Sequence, residues 1–279
     1  MKHRTRKVRH APSQDRAATQ IDDDASTRRC HYGCEVPDAI FANPRLAAIY
    51  DAVDSDRSDL DHYLRIVEEF GATTILDVGC GTGTLACLLS ERGLDVVGVD
   101  PAEASLDVAR GKPGANDVRW VSGDATTLPP LSIDMALMTG NVAQVFLDDA
   151  NWRTTLAGIA AAVGESGTLV FETRQPALRD WERWTRDQSQ RRVDIPLVGV
   201  VETWVELTDV SLPLVSFRHT YRFESDHAVL TSDSTLRFRN IEEVTSSLAD
   251  TGWHLDETRD APDRPGKEYV CIASRQNDR

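Results

Sequence analysis

Three carboxylates and one glycine-rich turn are the residues of this chain best placed to do chemistry. Asp77 lies two residues before the first glycine of Gly79-Cys80-Gly81-Thr82-Gly83, Asp100 closes the run Leu94-Asp95-Val96-Val97-Gly98-Val99, and Asp124 follows Val118-Arg119-Trp120-Val121. The apolar content of each preceding segment predicts a strand, so each acid stands at a strand's C-terminal end. Glycines at the turn let a ligand approach the main chain, and the helical pattern from Thr84 to Arg92 aims unpaired N–H groups at it. The spacing is G-x-G-x-G, whereas a dinucleotide fingerprint is G-x-G-x-x-G. A carboxylate at Asp77 would repel a pyrophosphate and attract an amine. Both features count against a nicotinamide-dependent oxidoreductase.

An acid after the second strand is where a ribose diol is gripped, and an acid after the third suits the amino group of an adenine. An amine, a ribose and an adenine occur together in S-adenosylmethionine. The stretch from about Tyr50 to Arg174 resembles a class I S-adenosylmethionine-dependent methyltransferase of the bacterial small-molecule type. The resemblance rests on Leu76-Asp77-Val78-Gly79-Cys80-Gly81-Thr82-Gly83, on Val99-Asp100, on Gly123-Asp124-Ala125 and on Gly167-Thr168-Leu169-Val170-Phe171-Glu172. Near the C-terminus, Leu248 to Trp253 and Glu268 to Ala273 look like the last helix and strands of that family. The resemblance implies an α/β fold, a Rossmann-like doubly wound seven-stranded sheet. It implies that Asp77 and the glycines hold the methionine part, Asp100 the ribose and Asp124 the adenine. Tyr50, Cys80, Thr82, Pro101, Ala125, Thr139 and Asn141 complete the expected cofactor set, with Tyr50 closing over it.

The rest of the chain must position these groups. The spacing predicts a short helix from Pro44 to Asp51. A second, from Ser58 to Phe70, would carry Leu60, Tyr63, Leu64, Val67 and Phe70 on one face, with Ser58 as cap. Strand and helix patterns then alternate over 74–79, 84–92, 95–99, 102–110, 118–121, 133–138, 150–163 and 168–172, which implies a parallel sheet covered by helices. From Val201 the period changes to two, through Val215 to Phe223 and Val229 to Phe238, with a turn at Ser225-Asp226-His227. This predicts an antiparallel β insertion before the last helix, either a lid over the acceptor or a dimerisation surface. The expected organisation is a disordered tail over 1–40, a cofactor-binding core over 41–175, the insertion over 176–240, and completion of the core over 241–279.

Methyl transfer from a sulfonium is an in-line displacement whose leaving group needs no proton. Alignment and exclusion of water therefore do much of the work, and a base matters only where the acceptor must lose a proton. Candidate catalytic residues are Asn141, Glu172 and His219, and candidate acceptor contacts are Gln144, Arg174, Trp181 and Tyr221. The loop Thr139-Gly140-Asn141-Val142-Ala143-Gln144 lacks the Asn/Asp-Pro-Pro-aromatic pattern of enzymes that methylate bases or glutamine. That departure, with a net charge of −14, counts against nucleic acid and against a tRNA-modifying role.

Residues 1–29 carry eight Lys/Arg against four Asp, so the acidic excess lies in the remainder. No apolar run has the length of a membrane span or the form of a secretory signal, and five cysteines without regular spacing fit a cytoplasmic protein. Cys30-His31-Tyr32-Gly33-Cys34 offers three metal-ligand side chains with no second pair, so no metal is expected. The expected partner is a small-molecule acceptor, with neither nucleic acid nor membrane, and a monomer or homodimer. The reading from another class is a non-catalytic S-adenosylmethionine-binding or regulatory protein.

Overall fold

The structure, a computed structural model, describes residues 37–276. Most of the segment expected to be a tail, with the Cys30–Cys34 cluster, lies outside the described residues. The packed chain begins earlier than residue 41. A helix, α1, spans Ala39–Ala42, and Ile40 is buried. Two more short helices follow, α2 (Pro44–Ala47) and α3 (Tyr50–Val53). The single helix expected from Pro44 to Asp51 is thus broken up. Asn43, held extended ahead of Pro44, separates α1 from α2 and accepts from the Arg45 N–H at 2.9 Å. These three helices are referred to below as the cap.

Helix α4 (Leu60–Phe70) buries Leu60, Tyr63, Ile66 and Val67 and stops at Gly71, which takes the left-handed conformation. Asp59, rather than Ser58, is its N-cap, without a side-chain cap bond, and Phe70 at its last turn is 43% exposed. The apolar stripe turns out of the core before the helix ends.

Strands β1 (Thr74–Val78), β2 (Asp95–Asp100), β3 (Val118–Ser122), β4 (Ile133–Met138) and β5 (Val163–Arg174) run parallel. Helices α5 (Thr84–Ser90), α6 (Glu103–Arg110) and α7 (Asp149–Ala162) connect them. The β-insertion contains the four-residue helix α8 (Arg186–Ser189) and strands β6 (Arg191–Ile195), β7 (Gly199–Ser211), β8 (Leu214–Phe223) and β9 (Val229–Arg237). Helix α9 (Ile241–Ala249) then leads to β10 (Trp253–Asp260) and β11 (Glu268–Arg275). The main sheet has the order β10-β11-β5-β4-β1-β2-β3, with β11 antiparallel to β5. The order reverses at β1, so the C-terminal ends of β1 and β4 flank a crevice of the kind that binds ligands in open α/β sheets.

The central strands are apolar on both faces because both are covered. Leu76, Val78, Val99, Met138 and Phe171 pack with Trp152 and Leu156 of α7 and Leu248 of α9. Ile75, Val96, Leu137 and Val170 pack with Leu60 and Ile66 of α4 and Leu85 and Leu89 of α5. Each such buried side chain contributes about 1.5–3 kcal/mol relative to exposure. Helix α9 begins on a capping box, in which Asn240 Oδ1 accepts the Glu243 N–H and Glu243 returns the contact to the Asn240 N–H.

The insertion is a separate antiparallel sheet, β6-β7-β8-β9. One end of its inner face packs Val201, Tyr221 and Phe223 on the cap, and the other packs Val215, Leu236 and Phe238 with Trp181. Its outer face carries ion pairs, including Arg218–Asp233 at 2.6 Å and Arg192 with Glu224.

Candidate functional site

Asp77, Asp100 and Asp124 come together at the C-terminal edge of β1, β2 and β3. Asp77 ends up in the last turn of β1, 2% exposed, and no ion pair reaches it among the described residues. Burial, with the charge of Asp100 second, pushes its carboxyl up to about 7, while the nearby positive charge of Arg57 and the Ala86 N–H pull the other way. Asp100 is tied to the turn. Its Oδ2 accepts the Gly81 N–H and its Oδ1 the Ala102 N–H, both at 2.8 Å. Burial raises its carboxyl and these two bonds oppose the rise. Each of its oxygens keeps a lone pair for a further donor. Asp124 Oδ1 accepts the Thr126 N–H at 2.8 Å, which shapes the turn that buries Ala125.

The turn's glycines divide their work. A Cβ on Gly79 would lie 2.6 Å from Val142, and one on Gly83 would lie 2.4 Å from Trp120. A Cβ on Gly81, in contrast, meets nothing within 4 Å. Gly79 and Gly83 therefore permit packing, and Gly81 faces open space where a ligand approaches. Cys80 is half-buried, and burial holds its thiol protonated. The Thr82 hydroxyl donates to Asp51 of α3 at 2.7 Å. Pro101 is exposed and Thr139 half-buried at the same edge.

A residue the spacing did not single out completes this side. Arg57, between α3 and α4, is half-buried, pairs with Asp59 at 3.2 Å, and acts electrostatically on both Asp77 and Tyr50. It is the lone Lys/Arg among Asp51, Asp54, Asp56, Asp59 and Asp61, and that isolation was the available signal. Tyr50 sits in the cap against Phe41 at 5.6 Å between ring centres, and burial raises its hydroxyl.

The ends of β4, β5 and β11 hold a buried polar network. Asn141 takes a left-handed backbone (φ 63°) after β4. Its N–H donates to Glu172 Oε1 at 2.8 Å, and its Nδ2 reaches Glu172 at 3.2 Å and Glu268 at 3.3 Å. Tyr63 of α4 donates its hydroxyl to Glu172. Glu268 is paired with Arg174 at 3.2 Å and Arg264 at 2.7 Å. Burial, then the charge of Glu268, pushes Glu172 up to about 7. Tyr63, Arg264 and Glu268 belong to this network although the sequence pattern placed them in a core stripe, a loop and a terminal strand.

The acceptor candidates separate. Gln144 is fully buried and its Oε1 accepts from the Arg174 N–H at 3.4 Å, and Trp181 is 1% exposed and edge-on to Phe238 at 4.5 Å. Both are buried in the unliganded chain, Gln144 against Arg174 and Trp181 against Phe238. Tyr221 is 4% exposed and packs against the cap cluster. His219 is half-buried between Phe217 and Tyr221, and burial, with Arg191 nearby, lowers it to about 4. Its imidazole is neutral at neutral pH. A groove of about 610 Å³ beside Leu64, Gly71 and Leu94 lies at the opposite edge of the sheet and holds none of these groups. Among the described residues no cluster of three His, Cys, Asp or Glu is arranged to hold a metal, and no helix is long and apolar enough to cross a membrane.

The profile of a family described as "Methyltransferase domain" matches residues 75–167. The cypemycin N-terminal methyltransferase of a Streptomyces species is 33% identical over 105 residues, covering 37% of this chain and 43% of that protein. The chain thus matches less than half the length of the first curated relatives. A malonyl-[acyl-carrier protein] O-methyltransferase from Serratia marcescens is 24% identical over 220 residues, covering 77% of this chain and 78% of that protein. Among solved structures, a sugar N-methyltransferase from a Streptoalloteichus species superposes with a TM-score of 0.67 at 17% identity, covering 90% of this chain and all of that one.

Proposed function

We propose that the protein transfers a methyl group from S-adenosylmethionine to nitrogen or oxygen of a small-molecule acceptor, a reading supported by the match of residues 75–167 to a methyltransferase profile and by the likeness of the fold to a sugar N-methyltransferase. The observation that carries this reading is a buried carboxylate with no ion-pair partner among the described residues, Asp77, at a glycine turn, with the Arg57 charge near enough to act on it. A methionine tail is a zwitterion. Asp77 offers its ammonium a counter-charge, and Arg57 does the same for its carboxylate. Asp100 suits the ribose diol, and Gly81 leaves room for the ligand against the main chain.

When bound, the cofactor supplies an electrophilic methyl on a sulfonium. The chain's own residues then orient and enclose. Glu172 fixes the turn at Asn141, beside the glycine turn through the contact of Val142 with Gly79. Trp184 of the insertion lies with its ring centre 5.6 Å from the Arg174 guanidinium and packs edge-on to Phe217, which in turn touches His219. Glu172, with a carboxyl near neutral pH, is the better candidate to take a proton from an ammonium acceptor. His219, lowered to about 4, is suited to hydrogen bonding as a neutral ring.

Calorimetry with two ligands tests the zwitterion site. S-adenosylhomocysteine carries the amino-acid tail, and 5′-methylthioadenosine lacks it. Arg57→Met is expected to weaken the first by about tenfold, the size of one charge-assisted contact, and to leave the second unchanged. Equal effects on both ligands would place Arg57 elsewhere.

A further inference from the structure

The cap is held in two chemically different ways. Toward the insertion it is cemented by apolar contact. Ile40, Leu46, Ile49 and Val53 cluster with Ile195, Val201, Tyr221 and Phe223, and this cluster contains only cap and insertion residues. The Ile40 N–H also donates to Ser232 at 2.9 Å, and Arg45 pairs with Asp226 at 2.8 Å. Toward the core, α1 and α2 lie against α6, and α3 is joined to the glycine turn by hydrogen bonds and an ion pair. Asp51 Oδ1 accepts the Thr82 hydroxyl at 2.7 Å and that of Thr84 at 3.3 Å, and its Oδ2 meets Lys112 Nζ at 2.6 Å. Lys112 also donates to Thr84 at 2.7 Å. Ser105 of α6 donates to the Phe41 carbonyl at 3.0 Å.

We propose that Asp51 is a positioning residue that latches the cap across the glycine turn through Thr82, Thr84 and Lys112, and so gates exchange of the cofactor. This rests on the reading that the turn holds an S-adenosyl ligand. The latch joins three elements, α3, the start of α5 and the turn after α6. It lies at a rim where Asp51 and Lys112 side chains keep 34% and 20% of their exposure, so water can compete for each bond. The apolar cluster ties the cap to the insertion, and α3 meets the glycine turn through these exchangeable polar bonds, so releasing Asp51 frees the α3 end of the cap from the turn. Tyr50 is adjacent to Asp51 in α3, so opening would carry it away from the turn.

Two measurements test the latch. Stopped-flow kinetics of S-adenosylhomocysteine on the wild type, Asp51→Ala, Lys112→Met and the double variant should show association and dissociation rising together. Asp51→Ala should speed both by about tenfold, Lys112→Met by less, and the double variant no more than Asp51→Ala, because the two residues form one unit. Arg110→Met, which removes a surface ion pair on α6 away from the cap, should change neither rate. Hydrogen exchange of the unliganded protein should show faster exchange over 39–53 in Asp51→Ala, with the strands unchanged. Dissociation that rises without association would make Asp51 a direct ligand contact and overturn the gate. Unaltered exchange over 39–53 in both single variants would overturn the latch. Should the wild type bind no S-adenosylhomocysteine, the methyltransferase reading falls, and hydrogen exchange alone decides whether Asp51 holds the cap.

Discussion

Replacing Asp77 by Asn should reduce affinity for S-adenosylhomocysteine on the order of 100-fold, since it removes the charge facing a ligand ammonium in a water-poor site. Shape and burial change little, so the fold should survive. The pH dependence sharpens the test. The unliganded carboxyl is raised from 3.8 to about 7 by burial and by Asp100. Below that point the group is protonated and presents no charge to the amine. Affinity should therefore fall by about tenfold per pH unit below 7 until the roughly 100-fold loss of the neutral group is reached, and level off above 7, and Asp77→Asn should remove this dependence. Stability runs the other way. A carboxyl whose folded value is raised contributes stability that is present below its unfolded value of 3.8 and is lost as pH rises toward about 7. The unliganded protein should thus lose stability over the range in which it gains affinity. Titration calorimetry across pH, paired with thermal unfolding of the free protein, reads both; a pH-independent affinity in the wild type would remove Asp77 from the amine site.

Gly83→Ala should destabilise the protein more than Gly81→Ala does. At Gly83 the backbone is left-handed (φ +75°), and a Cβ would stand 2.4 Å from the Trp120 ring and 2.7 Å from Ala109. Left-handed strain and overpacking together cost about 3 kcal/mol, which lowers the melting temperature by about 6–12 °C in a chain of this size. Gly81 is also left-handed (φ +53°) but its Cβ meets nothing within 4 Å, so the strain alone remains. The open space beside Gly81 is instead sensitive to bulk. Gly81→Arg should keep the fold and lose the ligand. Circular dichroism melts of the Ala variants separate the roles, and equal melting temperatures would mean that Gly83 is not a packing glycine.

Strands β1, β2 and β4 were legible because covered parallel strands read as apolar runs, whereas the start of β5, Val163-Gly164-Glu165-Ser166-Gly167, is largely exposed and carried no such signal. The meander was legible from its period of two, except for β6. In Arg191-Arg192-Val193-Asp194-Ile195 the alternation spans only Val193 and Ile195, too short a run to mark a strand. Tyr63 shows why the polar network stayed hidden. Its spacing in α4 marks a core position, which it occupies at 3% exposure, yet its hydroxyl reaches Glu172 across 109 residues of sequence. The burial of Gln144 and Trp181 was not legible either, because a polar or aromatic residue near a functional edge reads the same whether or not it is packed against protein. Asp51 was read as the end of a helix, and its partners Thr82 and Lys112 are met only when the cap folds back over the core.

The most direct test is a crystal structure of the protein with S-adenosylhomocysteine. The predicted result places the amine against Asp77, the carboxylate toward Arg57, the ribose at Asp100 and the adenine near Asp124, with Gly81 under the chain of the ligand. A ligand bound elsewhere, or an amino-acid tail lying away from Asp77, would contradict the account.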